Sequence, residues 1–221
     1  GQVFWINGIN NQSKSVYYEG MAVPQRIILT NLDATKPHVF YFSLQSIKKA
    51  GNTHAYDFIT SWDKAKAVAD YVGSILPANT SLLSDLEGKA CGDAIPNDLV
   101  AVCAAASNPY RVEIPAPNNS LVPNPNSSDI APKKAAFEAA FGGDARMLIK
   151  ANAVITEATL TFEGYSGNDQ DATFKLVWTA AGATTTVIQF AGHLALGSEP
   201  SGKWAGIGHG TNFGAGAVSG A

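Results

Sequence analysis

The feature that most constrains this chain lies in its back half, between Val154 and Gly197, where apolar residues return at every second position. Ala158, Leu160 and Phe162 share one face of an extended run, and Thr159 and Thr161 share the other. After the polar stretch 167–171, Ala172, Phe174, Leu176 and Trp178 line one face, opposed by Thr173, Lys175 and Thr179. A small turn, Ala181-Gly182-Ala183, leads into a third run from Thr184 to Phe190. Successive side chains of a strand point to opposite sides, so a period of two marks a strand with one buried face. Three such runs joined by short turns predict a β-meander, and with it an all-β fold.

The front half reads in the same way. The uncharged stretch Gln2 to Ile9, centred on Val3, Phe4, Trp5 and Ile6, is strand-like, as are Ser15 to Glu19, Arg26 to Asn31 after Pro24, and Val39 to Gln45. Aromatics on both faces of Val39 to Gln45 predict burial on both sides. An extended segment from Asn52 ends at Ser61, which stands as a helix N-cap with Asp63 in the first turn. Ala65, Val68, Ala69 and Val72 recur at helical spacing, so Trp62 to Val72 is a short amphipathic helix stopped by Gly73. Pro132 opens a second helix, with Phe137, Ala140 and Phe141 on one face and Gly142-Gly143 at its end.

Between the helices, 74–132 holds eight of the eleven prolines and reads as an irregular insertion. The last stretch, 198–221, is rich in Gly and Ala; such a run either moves freely or lies flat against another backbone. The expectation is one domain over 1–221: a jelly-roll-like β-sandwich with two short inserted helices and a long irregular insertion.

Only 15% of residues are charged and the net charge is −3. Soluble domains carry about 25% charged residues, and a neutral surface rich in hydroxyls and amides suits an extracellular β-protein. No basic cluster exists beyond the doublets Lys48-Lys49 and Lys133-Lys134, so neither nucleic acid nor an anionic membrane is an expected partner. No apolar run reaches the roughly 20 residues that a spanning helix needs. The chain begins with Gly and without a signal peptide, as a processed product does. Cys91 and Cys103 lack the spacing of a C-x-x-C pair and have no adjacent His. A disulfide that pins the 74–132 insertion is the expected use, contributing about 3 kcal/mol in an oxidising compartment.

Motifs that carry chemistry are missing from the sequence: there is no G-x-S-x-G elbow, no H-E-x-x-H and no G-K-[ST] phosphate loop. The four histidines, His38, His54, His193 and His209, are far apart in sequence. His193, at the end of an apolar strand, reads as a satisfied, half-buried side chain. Glu157 and Glu163 lie opposite the apolar stripe of their strand, where a solvated face accounts for them as well as a glycosidase pair would. Asn168, Asp169 and Asp171 cluster in one turn, with Asp57 and Asp63 elsewhere. Ca²⁺ is the one cofactor this composition admits, although hairpin turns prefer the same residues. No catalytic, cofactor or metal residue is assigned. Asn11, Asn79, Asn118 and Asn126 each begin an N-x-[ST] sequon, a glycosylation acceptor if the source modifies extracellular proteins.

Three pieces of sequence carry a resemblance: Tyr17-Tyr18-Glu19-Gly20 with Pro24 and Arg26 following, Tyr56-Asp57-Phe58-Ile59-Thr60-Ser61-Trp62, and Gly192-His193-Leu194-Ala195. Together they resemble a non-catalytic β-sandwich module of secreted bacterial surface and matrix proteins. The resemblance implies an extracellular structural or adhesive role, assigns no chemical role to any residue, and leads one to expect a further aromatic strand after Ala221.

A function follows as an expectation. The leading segment Val3, Phe4, Trp5 and Ile6 lacks the lysines and prolines that normally blunt a sheet edge. Such a strand either pairs within its own sheet or completes a neighbour's, and in the second case head-to-tail exchange gives open filaments. The expected protein is therefore a non-enzymatic subunit of an extracellular filament or surface layer, with a homopolymer or other surface proteins as partners. The alternatives are an adhesin or carbohydrate-binding module, with Trp5, Trp62, Trp204, Tyr17 and Tyr18 stacking on sugars, and, behind it, a polysaccharide hydrolase.

Overall fold

The computed structural model describes residues 17–48, 53–75, 100–105, 109–117, 130–167 and 170–217. Val3, Phe4, Trp5, Ile6, Cys91, Asn11, Asn79, Asn118, Asn126, Asn168 and Asp169 lie outside the described residues. Within them the elements run β1 (Ala22–Leu29), β2 (His38–Gln45), β3 (Ile47–Lys48), β4 (Thr53–His54), β5 (Tyr56–Thr60), α1 (Trp62–Ile75), α2 (Val100–Ala104), β6 (Tyr110–Val112), α3 (Ile130–Ala140), β7 (Met147–Ala151), β8 (Glu157–Ser166), β9 (Asp171–Thr179) and β10 (Thr186–Leu194). The chain is mostly β, with antiparallel sheets and few, short helices.

A five-stranded sheet runs β1-β10-β7-β6, and β5 follows β7 along the same side of β10. A three-stranded sheet runs β2-β9-β8, and β3 pairs β4 separately. The predicted meander is only half present. β8 and β9 form the expected hairpin, but β10 leaves them for the other sheet. The reason is that β2 takes the second edge of β9, in eight consecutive pairs from His38↔Trp178 to Gln45↔Asp171. β10 is buried at every residue but Leu194, as befits a strand covered on both faces.

One face of the large sheet meets the small sheet. Ile149, Ile188 and Phe190 share a buried cluster with Leu160, Phe174, Leu176 and Trp178. The other face meets the helices. Met21, Phe58 and Ala191 pack with Ala65, Val68, Ala69 and Val72 of α1, with Phe137 of α3, and with Trp204 and Ile207. Ser61 caps α1 as expected, its Oγ accepting the Lys64 amide at 3.1 Å and donating to the Asp144 carbonyl. Gly73 does not stop α1, which continues to Ile75.

Other local expectations are corrected. Tyr17 to Gly20 is coil and turn rather than strand. β2 is not buried on both faces: Val39 and Tyr41 are 53% and 56% exposed, because no element covers that side of the small sheet among the described residues. The 74–132 segment contains α2 and β6, and β6 adds an edge to the large sheet through β7. The tail after Leu196 lies against the body: Gly210 N donates to Gly197 O and Ala215 N to Ala195 O, each at 2.9 Å, and Trp204 is buried in the helix-side core.

Candidate functional site

A carboxylate within an apolar strand must find partners or lose its charge. Asp57 stands in β5, where Asp57 through Thr60 are all buried. β5 pairs β10 with a register shift between His193 and Leu194, and such a bulge re-aims side chains locally. At that irregularity Asp57 Oδ1 accepts the Nδ1–H of His193 at 2.7 Å. Its other oxygen, Oδ2, accepts the Nε2–H of His209 at 2.9 Å. All three side chains are sealed from solvent. The His209 ring in turn stacks on His54 of β4, with ring centroids 3.9 Å apart.

Burial alone would push the Asp57 carboxyl up; the two imidazoles overcome it and hold the group well below the usual carboxylate range. The His193 ring lies flat on Phe58, its centroid 4.2 Å away, and edge-on to Phe137 at 4.6 Å. Its Nε2 has no hydrogen-bond partner among the described residues. A carboxylate–imidazole pair is the orienting half of an acid–base device, and the far ring nitrogen must reach a nucleophile or substrate to complete it. Here that nitrogen belongs to a ring packed between phenylalanines. The cluster ties β5, β10 and the tail together.

Glu19 performs the same task beside it. Its Oε2 accepts the Gly197 amide at 2.8 Å and its Oε1 the Gly216 amide at 2.6 Å. The approach is so close that a Cβ on Gly214 would stand 2.6 Å from Glu19 Oε2 and 2.4 Å from the Gly197 nitrogen. Lys133 Nζ donates to the Gly208 carbonyl, adding a third tie to the tail. The small residues of the tail thus permit backbone to lie on backbone.

The three sequence pieces that carry the resemblance converge here. Gly20 N donates to Leu194 O at 2.8 Å, and Leu194 pairs Tyr56 across β10 and β5. His193 is fully buried rather than half-buried, because β10 is covered on both faces. Neither His209 as a partner of Asp57 nor His54 stacked behind it is legible in the sequence; the one signal there is a charge inside the apolar strand Tyr56 to Thr60.

The remaining candidates do not come together. Glu157 and Glu163 are exposed on β8, and Glu163 Oε1 accepts the Thr161 hydroxyl at 2.6 Å. Asp63 pairs with Arg111 at 3.1 Å, and Asp171 opens β9. Among the described residues no group of three His, Cys, Asp or Glu side chains could hold a metal ion. Cys103 lies half-buried in α2 beside Val102 and Val187. Of the aromatics proposed for stacking, Trp204 is core and Trp62 is half-buried, with its Nε1 donating to Gln25 O at 3.1 Å. Tyr17 is half-buried too, and burial, with Tyr56 nearby, pushes its hydroxyl up to about 12. Tyr18 is exposed.

Outside this cluster, the small sheet offers a surface. β2 forms one of its edges, and no described strand pairs with the far side of β2. Tyr41 lies on the uncovered face, 5.7 Å below the Lys175 ammonium.

No protein-family model matches this chain, and no curated protein or solved structure matches it either. No helix among the described residues is long and apolar enough to cross a membrane.

Proposed function

We propose that this chain is a secreted, non-catalytic structural protein, a subunit of an extracellular filament or surface layer. The observation that carries the reading is the edge of the small sheet: β2 is eight residues long, uncharged and free of proline, with no bulge in its register to β9. Strands of that kind pair with further strands. The sealed ionisable cluster agrees with it, since Asp57, His193 and Glu19 are spent on holding elements together. In this reading the two sheets form a jelly-roll-like sandwich around their shared core. A Cys91–Cys103 bridge pins the 74–132 insertion, and the whole chain is one domain that works outside the cell. The leading segment Val3 to Ile6 donates the strand that links one subunit to the next.

Negative-stain microscopy and light scattering test this on the full chain and on a variant lacking residues 1–9. Polymers that disappear on deletion, with the far-UV spectrum retained, are the expected result. A monomer at every concentration contradicts the reading.

A second reading has one observation in its favour. Tyr41 and Val39 are exposed side by side on a sheet face that also carries Thr159, Thr161, Thr173, Lys175 and Val177. An aromatic on a flat polar face is a platform for a sugar ring. Binding to a glycan array that is lost in Tyr41→Ala would favour an adhesin or carbohydrate-binding module.

A further inference from the structure

Sheet edges that remain single are normally blunted, and among the described strands β1, β8 and β6 are. β1 carries Pro24, which cannot donate to a ladder. β8 is bent by a bulge between Phe162 and Gly164 and bears the exposed Glu157 and Glu163. β6 is only three residues long. β2 carries none of these devices. Its core-side residues Phe40, Phe42 and Leu44 belong to the cluster between the sheets yet remain half-exposed, since the cluster stops at this edge. Phe42 stands 4.8 Å from Phe190 and 5.5 Å from Phe174 by ring centroids, so the exposed margin is the flank of the aromatic core.

We propose that this edge is occupied by β2 of a second copy of the chain, antiparallel, joining two small sheets into one continuous sheet. The inference rests on the reading of the chain as an assembly subunit, but not on the leading segment as the link. Three features select a second copy. His38 to Gln45 has no acidic or lysine/arginine side chain, so two copies meet without a like-charge pair. An antiparallel strand paired with itself is a closed two-fold contact, the commonest symmetry of soluble oligomers. The alternation is also self-complementary. Directly opposed residues share a face, so self-pairing matches core side to core side only about a residue. Pairing about Tyr41 sets Phe40 against Phe42 of the second copy; pairing about Phe42 sets Phe42 against itself and Phe40 against Leu44. Either register covers the half-exposed flank.

The test uses the full chain. Tyr41 and Ser43 are exposed on the uncovered face, so Tyr41→Lys/Ser43→Lys leaves the core untouched, yet it sets ammonium groups opposite one another in both registers. Light scattering is expected to give a dimer or a multiple of it for the native chain, and at least tenfold weaker association for the lysine pair with the far-UV spectrum retained. Mixing the lysine pair with Tyr41→Glu/Ser43→Glu is expected to restore association as a heterodimer. If the lysine pair fails to fold, oxidative cross-linking of Tyr41→Cys and of Tyr41→Cys/Ser43→Cys decides: a covalent dimer from either supports the pairing, and none from both overturns it. A native chain that is monomeric throughout, or association indifferent to the lysine pair, also overturns it. Deletion of residues 1–9 separates the two ideas. Association that survives deletion but not the lysine pair supports β2 pairing and removes the leading segment as the link. The opposite pattern leaves strand exchange standing and overturns this inference.

Discussion

Asp57 is the residue on which most depends. Two imidazoles compensate a carboxylate with no access to water, and removing one side of such a buried arrangement costs about 3–5 kcal/mol. Asp57→Asn is therefore expected to lower the unfolding free energy by that order, read as a lower urea midpoint, even though the side chain keeps its shape. Its pH dependence has a definite sign. The folded carboxyl titrates well below the unfolded one, so the unfolded chain takes up the proton first as pH falls. The stability it supplies is full above the unfolded value of 3.8 and drains away below it, toward the folded one. Asp33 and Asp144, both held near 2, act in the same direction between that value and 3.8. Hydrogen bonds from Thr35 and Lys36 hold Asp33 down, and one from Arg146 holds Asp144. Unfolding midpoints measured from pH 5 down to pH 2 should fall for the native chain and fall less for Asp57→Asn. Glu19 offers a milder test: Glu19→Ala leaves the Gly197 and Gly216 amides without their acceptor, at about 1–3 kcal/mol. Limited proteolysis is expected to cut the tail of that variant first.

At the scale of the element, β10 decides the architecture. It is hydrogen-bonded to β1 along its length and to β7 and β5 in succession on the other side, with both faces covered. Gly192 keeps one of those faces closed: a Cβ there would stand 2.7 Å from Tyr56 Cδ1 and 3.0 Å from Leu44 Cδ2. Gly192→Ala should cost about 1–3 kcal/mol by overpacking, read as a lowered melting temperature. The alternation in Ala158 to Thr179 made β8 and β9 legible, because each has one wet face and one dry one. The same periodicity could not show that β10 changes sheets. A doubly buried strand carries no alternation, and the partner that displaces it from β9 is β2, more than a hundred residues earlier in the sequence. The exposure of β2 escapes the sequence for a related reason. Its aromatics describe what each face is made of, whereas exposure depends on whether another layer arrives, and none of the described elements does. The tail was ambiguous in sequence because Gly and Ala are compatible with both freedom and close packing. What settled it was Glu19, Asp57 and Lys133, all distant along the chain.

At the scale of the molecule, polar chemistry is turned inward and pairing capacity outward. The buried Asp57 carboxylate holds two imidazoles and the half-buried Glu19 holds backbone amides, while the uncharged edge of β2 and the uncovered face around Val39 and Tyr41 lie on the outside of the small sheet. That arrangement supports the proposal that the chain joins copies of itself. Sedimentation velocity on the purified full chain, over a concentration series, tests this most directly. Species heavier than the 23.1 kDa monomer whose share rises with concentration are predicted; a single 23.1 kDa species at every concentration would contradict it.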